Sequence, residues 1–323
     1  MDLNVASWLS WVRPRALRRR GVLGLNERNA GFVLPGNPRA HYPRVDDKLL
    51  TKRLCEDHGI PVPQTYAVIE RVGDIRGFQE LVRTRLDFVI KPAKGAEGRG
   101  IVVVLEHNHT TYTTAGNVPL TLADLRYHLE TTLSGLFSLG GQPDRAIIER
   151  RLVRHPIFER VAVNGTPDIR VLLYRAVPVM AMVRLPTRAS RGRANLHQGA
   201  VAAGLHLGTG GTFGGVCHDR AASVHPDTGA SIAGLEVPGW RELLLAAVKL
   251  ADVLEMDYLG VDFVLDAELG PVVLEANARP GLAIQIANRR GLLPRLRFVE
   301  AAARGPLPLA RRLELAAALA EMD

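Results

Sequence analysis

Apolar residues recur along this chain at the spacings that predict helices and strands. The clearest helical stripe lies within residues 239–256 and consists of Leu243, Ala247, Leu250, Ala251 and Leu254. Similar spacing predicts helices over residues 46–59, 75–85 and 121–135, and the Arg- and Leu-rich C-terminal end is also expected to be helical. In the first of these helices, Asp46 is the expected N-cap and Gly59 the expected stop.

Short apolar runs and two-residue alternation predict the strands. The expected strands are DFVIKP (87–92), IVVVL (101–105), RAIIER (145–150), YLGVDFVL (258–265) and GPVVLEANA (270–278), together with a hairpin over 168–185 that turns at a Pro-Val pair. Residues 186–215 are rich in Gly, Arg, Ser and Thr and are interpreted as a mobile loop. Because helices and strands are mixed and several strands form hairpins, the predicted class is α+β with largely antiparallel sheets.

Composition narrows the functional classes only in part. The 323 residues are 47% hydrophobic and 23% charged, which is typical of a soluble globular protein. The net charge of +8 favours polyanionic partners such as nucleotides, nucleic acid, acidic peptides or anionic lipid, although much of it could simply be solvated surface. Cys55 and Cys217 are too far apart in sequence to indicate a disulfide framework or a metal cluster, and they fit a reducing compartment.

No targeting segment is evident, so we expect a cytoplasmic location. No apolar run reaches the roughly 18 residues of a membrane span. The first 24 residues place Trp8, Leu9, Trp11 and Val12 before five arginines, which inverts the order of a signal peptide. This segment fits a short basic amphipathic helix on a membrane or on a partner, a helix packed on its own domain, or a frayed terminus.

Three oxygen-bearing side chains are expected to meet on one face of the last hairpin. Glu275 and Asn277 project to the same side because side chains alternate along a strand. A turn centred between residues 268 and 269 would place Asp262 opposite Glu275, with Cβ atoms about 5 Å apart. Two such carboxylates repel unless a cation lies between them, and Mg²⁺ prefers carboxylate and amide oxygens. The alternative is a polar hairpin face in contact with solvent.

A glycine loop follows the strand that ends near Lys91. Gly95, Gly98 and Gly100 would let backbone amides approach phosphate oxygens, and Lys91 would add a positive charge. The sequence GAEGRG matches neither the P-loop nor the dinucleotide fingerprint, so an ordinary hairpin turn is the alternative. Lys48 lies near a helix N-terminus, where an anion such as phosphate would relieve an unfavourable charge, although a solvated surface lysine is the more common case for a single lysine.

The order of these motifs resembles that of ATP-grasp enzymes, and it is most similar to ribosomal-protein glutamate ligases and α-L-glutamate ligase-like proteins. The resemblance runs from about residue 42 to about residue 290. It is carried by DDKLLTKRLCEDHGIPVPQTY, FVIKPAKGAEGRGI, AIIERRL, DIRVLL, RASRGRANLHQGA and GVDFVLDAELGPVVLEANARPGL. The resemblance implies an ATP-grasp fold, with ATP held between two α+β subdomains that contain antiparallel sheets. It also implies ATP and Mg²⁺ (with Mn²⁺ as an alternative) as cofactors, and a reaction that activates a carboxylate as an acyl phosphate for attack by an amine.

The resemblance also implies roles for individual residues. The nucleotide would be held by Lys48 and Lys91 at the phosphates, by Gly95, Gly98 and Gly100 in the closing loop, and by Glu149, Arg150 and Leu152 in the adenine hinge. Magnesium would be bound by Asp262, Glu275 and Asn277. The γ-phosphate and the substrate carboxylate would be contacted by Arg170, Arg193, Asn195 and Arg279. His197 could act as a base for the amine or be an ordinary solvated histidine.

The implied organisation is an N-terminal arm over residues 1–41, an ATP-grasp domain over 42–300 and a C-terminal helix over 301–323. The lid subdomain would cover about 75–150 and the metal-binding subdomain about 151–300. Family members usually begin with a parallel-sheet domain that helps to bind substrate, but the residues before Lys48 show no βαβ pattern. That domain is therefore expected to be truncated or absent, and a partner chain, a homo-oligomer or the arm would supply its contacts.

The substrate and the function class are the least constrained parts of the hypothesis. An arginine-rich segment (Arg184, Arg188, Arg191 and Arg193) predicts an acidic substrate such as glutamate or an acidic peptide, with a protein acceptor as an extension; these arginines could instead bind phosphate or water. No DNA partner is expected. A small-molecule kinase and a non-catalytic nucleotide- or RNA-binding module are the alternatives. The module is disfavoured by the complete set of candidate ATP and Mg²⁺ residues and by an aromatic content of 5%.

Overall fold

The structure is a computed structural model that describes residues 14–95, 98–116, 118–218, 220–303 and 305–322. The helices are α1 (Pro14–Arg19), α2 (Leu25–Arg28), α3 (Leu34–Gly36), α4 (Pro43–Asp46), α5 (Lys48–Asp57), α6 (Phe78–Arg83), α7 (Leu122–Leu133), α8 (Trp240–Leu254), α9 (Ala283–Asn288), α10 (Leu293–Ala302) and α11 (Leu309–Ala320). Short 3-10 or π segments lie at Asn29–Val33, Arg39–His41, Val72–Gly77, Leu139–Gly141, Pro156–Val161 and Leu196–Gln198. Among the described residues, no helix is long and apolar enough to cross a membrane.

The strands form two antiparallel sheets, which confirms the predicted α+β class. The strands are β1 (Thr65–Ile69), β2 (Phe88–Pro92), β3 (Val102–His107), β4 (Thr111–Thr114), β5 (Pro119–Thr121), β6 (Ala146–Glu149), β7 (Asp168–Tyr174), β8 (Val177–Leu185), β9 (Val201–Leu205), β10 (Thr212–Cys217), β11 (Arg220–Ala222), β12 (Tyr258–Asp266) and β13 (Gly270–Asn277). The first sheet has the order β1-β6-β2-β3-β4-β5, and the second has the order β11-β10-β9-β8-β7-β12-β13. We call them the lid sheet and the catalytic sheet.

Each sheet buries its own apolar core. The predicted stripe of α8 packs on the catalytic sheet, and its five members are all between 0% and 2% exposed. The lid sheet packs on α6 and α7 through residues such as Phe78, Phe88 and Leu129. A small third cluster (Leu49, Ala93 and Ile147) joins α5 to the lid sheet. Helix α5 is therefore held against the lid sheet by apolar contacts next to the candidate site.

Helix α5 begins one residue later than its predicted cap. Asp47, and not Asp46, is the N-cap, because its side chain accepts hydrogen bonds from the backbone amides of Leu49 at 3.0 Å and Leu50 at 3.4 Å. Asp46 is the last residue of α4, where its backbone is already helical. A cap residue needs an extended backbone, and Asp47 has φ −104° and ψ 104°.

The predicted mobile loop over 186–215 is wrong for its second half, because residues 201–205 form β9 and β10 begins at Thr212. The small side chains of Val201–Leu205 are buried throughout, and β9 lies between β8 and β10. A run of small residues with few β-branched side chains gives little local signal for a strand. The hairpin over 168–185 turns at Arg175 and Ala176, which have φ of +49° and +54°, and not at the Pro-Val pair.

The N-terminal residues that the structure describes belong to the core of the catalytic sheet. Leu23, Phe32 and Val33 are at most 1% exposed. The buried amide of Asn37 donates to the carbonyls of Tyr258 (2.7 Å) and Ala278 (3.1 Å) and accepts from the backbone amide of Tyr258 (2.9 Å). Residues before the proposed boundary at residue 41 are therefore packed into the core of the catalytic sheet. The tryptophans of the predicted amphipathic segment lie outside the described residues.

Candidate active site

Lys48 lies where α5 meets the glycine loop of the lid sheet. Its backbone amide donates to the carbonyl of Ala93 at 3.1 Å, and its Nζ donates to the carbonyl of Gly95 at 2.5 Å. Burial lowers the pKa of Lys48, the carboxylate of Glu275 opposes that shift, and the charge of Lys91 adds to it. Lys48 therefore lies within electrostatic reach of Glu275 in the catalytic sheet and of Lys91 in the lid sheet.

A buried ion triad occupies the centre of the lid sheet. The Nζ of Lys91 donates to Oε1 of Glu149 and the Nζ of Lys52 donates to Oε2, each at 2.6 Å. All three residues are between 4% and 6% exposed. Burial alone would raise the pKa of Glu149, but Lys91 and Lys52 outweigh it and lower that pKa. Both carboxylate oxygens of Glu149 pair with lysine amines. Any contact between Glu149 and adenine would therefore come from the backbone of Glu149.

Lys52 was not singled out from the sequence, although one local signal could have found it. Lys48 and Lys52 are four residues apart on α5, so their side chains share one face of the helix. That face points to the lid sheet, which contributes both Lys91 and Glu149. A lysine at this spacing from a candidate phosphate lysine is therefore a reasonable member of the same site.

The glycine loop follows β2 and returns to the lid sheet. Gly98 and Gly100 have φ of +71° and +73°, a region that only glycine adopts without strain. A side chain at Gly95 would collide with the ring of Pro92, since a Cβ there would lie 2.2 Å from its Cγ. The side chain of Asp144 accepts from the backbone amide of Lys94 at 2.9 Å and 3.1 Å. The loop is therefore anchored at its start and needs glycine at the three predicted positions.

The register of the last hairpin pairs Asp262 with Glu275, as predicted. The route to this pairing differs from the prediction. From the turn onward Asp266 pairs with Gly270 and Phe263 with Val273, and a bulge at Leu274 then shifts the register by one residue. Without the bulge, Asp262 would lie opposite Leu274. Asn277 lies on the same face as Glu275, and its Nδ2 donates to Glu275 Oε1 at 3.2 Å.

Two arginines from neighbouring strands hold Asp262. Arg170 of β7 makes a bidentate pair with it, at 2.6 Å and 2.5 Å, and Arg184 of β8 adds a third bond at 3.0 Å. Arg184 also makes a bidentate pair with Asp168, at 2.5 Å and 2.6 Å. Burial would raise the pKa of Asp262, but the two guanidinium groups outweigh burial and lower it to about 2. Asp262 is therefore a carboxylate anion at neutral pH.

The oxygen atoms of this hairpin fit a magnesium ion. An ionised carboxylate offers about four acceptor positions, and the three bonds to Asp262 leave one position open. Glu275 is half-buried and adds a carboxylate, and Asn277 adds an amide oxygen. Within the described part of the chain, no group of three or more His, Cys, Asp or Glu side chains could hold a metal. The candidate ligands are therefore two carboxylates and one amide oxygen, which are donor types that Mg²⁺ accepts.

The predicted hinge residues follow β6 and approach both sheets. The backbone amide of Arg150 donates to the carbonyl of Gln64 at 2.9 Å, and its guanidinium donates to Glu268 in the β12–β13 turn at 2.5 Å. Leu152 is half-buried in the segment that leads from the lid sheet to the catalytic sheet. These residues therefore connect the two sheets at the side where a hinge is expected.

The remaining predicted residues lie in loops and do not contact the carboxylates directly. Arg193 is exposed and donates to Gln198 at 3.2 Å, and the side chain of Asn195 accepts from the backbone amide of His197 at 3.0 Å. Arg279 is exposed and lies over the ring of Tyr42, 5.1 Å from its centroid. In the described ranges, no hydrogen bond or ion pair joins Arg193, Asn195 or Arg279 to Asp262 or Glu275.

Comparison with known proteins gives a consistent picture. Residues 27–301 match the profile of a family described as sugar-transfer associated ATP-grasp. The chain is 27% identical over 281 residues to the "Probable alpha-L-glutamate ligase" of Citrobacter koseri and equally similar to the ribosomal protein bS6–L-glutamate ligase of Shigella boydii. Each alignment covers 86% of this chain and 68% of the relative, so the chain spans about two thirds of their length.

A solved structure shares the fold. The biotin carboxylase domain of Hydrogenobacter thermophilus 2-oxoglutarate carboxylase, solved with MgADP, ADP and bicarbonate, is 15% identical with a TM-score of 0.51. That alignment covers 87% of this chain and 50% of the other, so this chain spans half of the length of that one. At this identity the likeness concerns the fold alone.

Proposed function

Because this chain belongs to the sugar-transfer-associated ATP-grasp family, we propose that it is an ATP- and Mg²⁺-dependent ligase that joins a carboxylate to an amine. In the proposed reaction, a substrate carboxylate oxygen attacks the γ-phosphorus of ATP and ADP leaves. The amine nitrogen then attacks the carbonyl carbon of the acyl phosphate, inorganic phosphate leaves, and the nitrogen loses a proton. The products are an amide, ADP and phosphate.

The position of Lys48 carries this proposal. Its Nζ donates to the carbonyl of Gly95 at the glycine loop of the lid sheet at 2.5 Å, and its pKa is raised by the charge of Glu275 in the catalytic sheet and lowered by that of Lys91 in the lid sheet. A cation pair facing a carboxylate–amide hairpin suits a bound Mg²⁺–triphosphate, in which the phosphate oxygens meet the lysines and the metal meets the carboxylates. Lys91 is already paired with Glu149, whereas Lys48 has no carboxylate within ion-pair distance among the described residues, so a bound phosphate would offset the desolvation of Lys48.

The side chains of the site have separate roles in this scheme. Lys48 and Lys91 bind phosphate oxygens, and the loop around Gly98 offers backbone amides to them. Asp262, Glu275 and Asn277 would hold Mg²⁺, which when bound supplies positive charge at the transferred phosphoryl group. Arg170 and Arg184 keep Asp262 ionised and fix its orientation. Such fixed charges stabilise a transition state because they need no reorganisation during the reaction.

An acidic substrate, glutamate or an acidic peptide, is part of the proposal. Arg188, Arg191 and Arg193 are all exposed in the loop between β8 and β9. Guanidinium groups bind carboxylates through two parallel hydrogen bonds, so an exposed group of three favours an anionic ligand. The two relatives are named as glutamate ligases, which agrees with this charge.

The proposal is tested by screening amino acids and acidic peptides for phosphate release that requires both Mg²⁺ and ATP, with mass spectrometry of the products. We expect an amide product of one or more added residues, together with ADP. Glu275→Gln should abolish phosphate release and leave urea unfolding unchanged. A phosphorylated small molecule without an amide would instead show a kinase, and full activity of Glu275→Gln would exclude the metal assignment.

A further inference from the structure

A groove with a volume of about 990 Å³ lies beside the loop that follows the last hairpin. Its walls come from residues 17–25, from α9 and residues 289–295, and from Met322 and His197. Aliphatic side chains dominate the walls. Leu17, Leu25, Ile286 and Met322 keep 39%, 61%, 43% and 47% of their surface exposed there. Apolar side chains that converge on one concavity, with a few charged groups beside them, form a candidate ligand site.

Among the described residues, the polar side chains that line the groove are four arginines (Arg20, Arg289, Arg290 and Arg295), Gln285 and His197. The side chain of Gln285 accepts from the backbone amides of Leu23 (2.8 Å) and Leu292 (2.9 Å) and donates to the carbonyl of Leu23 (3.1 Å). Arg290 and Arg295 donate to the carbonyls of Met322 and Val179. Arg289 is exposed at the C-terminal end of α9, and within the described ranges its side chain makes no hydrogen bond or ion pair. No Asp or Glu is among the described residues that line the groove.

This combination selects one kind of ligand. A sugar or a peptide backbone needs many neutral hydrogen-bonding partners, and apart from its arginines the groove offers only two polar side chains among the described residues, His197 and Gln285, of which Gln285 already makes three hydrogen bonds. Bases and sugars also favour the flat rings of Phe, Tyr or Trp, and none of these is among the described residues that line the groove. An aliphatic chain needs only apolar contact, and a carboxylate at its end would pair with the guanidinium of Arg289.

We propose that this groove binds a long-chain aliphatic carboxylate as a single soluble molecule. The apolar side chains line the walls of a concavity, whereas a membrane surface would need them on a convex face. In sequence, Leu282 of the groove wall follows Arg279 by three residues, and His197 belongs to the same loop as Arg193. This binding site goes beyond the proposed ligase activity and does not depend on it.

The test is calorimetric titration of the full chain with dodecanoate below its micelle concentration, without nucleotide or Mg²⁺. We expect saturable binding of one molecule. Octanoate should bind at least about tenfold more weakly, because four methylene groups lose their burial. Dodecyltrimethylammonium, which has the same chain and the opposite charge, should not bind. Equal binding of the cation, or no saturable binding of dodecanoate, would overturn the proposal.

Two variants and a control locate the ligand. Ile286→Asp places a negative charge in the apolar wall and should weaken dodecanoate binding at least about tenfold, while Arg289→Gln should weaken it severalfold. Leu86→Asp is the matched control, since Leu86 is 79% exposed and lies away from the groove. Thermal unfolding of each variant shows that it is folded. Unchanged binding by Ile286→Asp would contradict the assignment.

Other occupants give different results. Binding to phosphatidylglycerol vesicles without binding of free dodecanoate would overturn the proposal in favour of a membrane surface. A dimer that Ile286→Asp dissociates, again without dodecanoate binding, would assign the groove to a second copy of the chain. A separate titration with MgADP keeps the two hypotheses apart, because loss of ADP binding would remove the proposed nucleotide site and leave the groove untouched.

Discussion

Replacing Glu149 by glutamine keeps the shape of the side chain but removes the carboxylate that two buried lysines share. Lys52 and Lys91 both donate to Glu149 at 2.6 Å, and their side chains are 5% and 7% exposed. The amide oxygen of glutamine can accept from one of them but carries no charge. The variant therefore contains two buried ammonium groups without a counter-ion.

The expected loss of stability follows from this burial. Removing one partner of a buried ion pair costs about 3–5 kcal/mol. A lysine can escape by losing its proton, which at pH 7 costs about 5 kcal/mol from an ordinary pKa of about 10.4. We therefore expect Glu149→Gln to lower the free energy of unfolding at pH 7 by about 3–5 kcal/mol.

The pH dependence gives a second, independent signature. In the variant, burial holds the pKa of a lysine below its unfolded value, so the unfolded chain binds more protons and stability rises with pH. The deficit should shrink by about 2–3 kcal/mol between pH 7 and pH 9. In the wild type, the lowered pKa of Glu149 gives a contribution that is present above the ordinary glutamate range and is lost as pH falls through the lowered pKa.

Urea unfolding at pH 7 and pH 9 measures both effects. Glu268→Gln is the matched control, because Glu268 pairs with Arg150 at 2.5 Å but its side chain is 72% exposed. An exposed pair contributes at most about 1 kcal/mol, so this control should change stability little. The reasoning is refuted if Glu149→Gln is no more destabilising than Glu268→Gln, or if its deficit does not change with pH.

Further predictions concern nucleotide binding by Lys91 and Lys48 and the stability supplied by the buried Asn37. Lys91→Met should weaken MgATP binding by about 1.5–3 kcal/mol in calorimetry, and an unchanged affinity would remove Lys91 from the site. Asn37→Ala should lower the free energy of unfolding by about 2–4 kcal/mol, since it removes three buried hydrogen bonds to Tyr258 and Ala278; a loss below about 0.5 kcal/mol in urea unfolding would contradict this. Burial lowers the pKa of Lys48, and a bound triphosphate would raise it again. Nucleotide binding at alkaline pH should therefore be accompanied by proton uptake, which calorimetry in two buffers of different ionisation enthalpy measures. Lys48→Met should bind nucleotide without this proton uptake.

Local patterns predicted the elements that contain the site. The two-residue alternation placed Glu275 and Asn277 on one face, and the expected partner, Asp262, does lie opposite Glu275. The bulge at Leu274 that sets this pairing had no signal in the sequence, because bulges depend on how a strand fits its neighbours. The observed hairpin is centred on residue 268, half a residue before the predicted centre between 268 and 269. The bulge makes up this difference, so Asp262 still pairs with Glu275.

The missing parts are those that depend on distant contacts. Lys52 pairs with Glu149 across 97 residues, and Asn37 binds Tyr258 across 221 residues. The spacing from Lys48 could have assigned Lys52 to the site, but nothing local marks a lysine or an asparagine as buried, since both residue types are usually exposed. The extension of the catalytic sheet by β9 to β11 was missed for a related reason, because these strands are rich in glycine and alanine and form by pairing in turn, β9 with β8, β10 with β9 and β11 with β10.

A crystal structure of the chain with Mg²⁺ and a non-hydrolysable ATP analogue tests the central claim most directly. The proposal predicts the triphosphate between the two sheets, within hydrogen-bonding distance of the amines of Lys48 and Lys91, with Mg²⁺ bound by Asp262, Glu275 and Asn277. A nucleotide bound elsewhere, with the Asp262–Glu275 face of the hairpin in contact only with water, would contradict it.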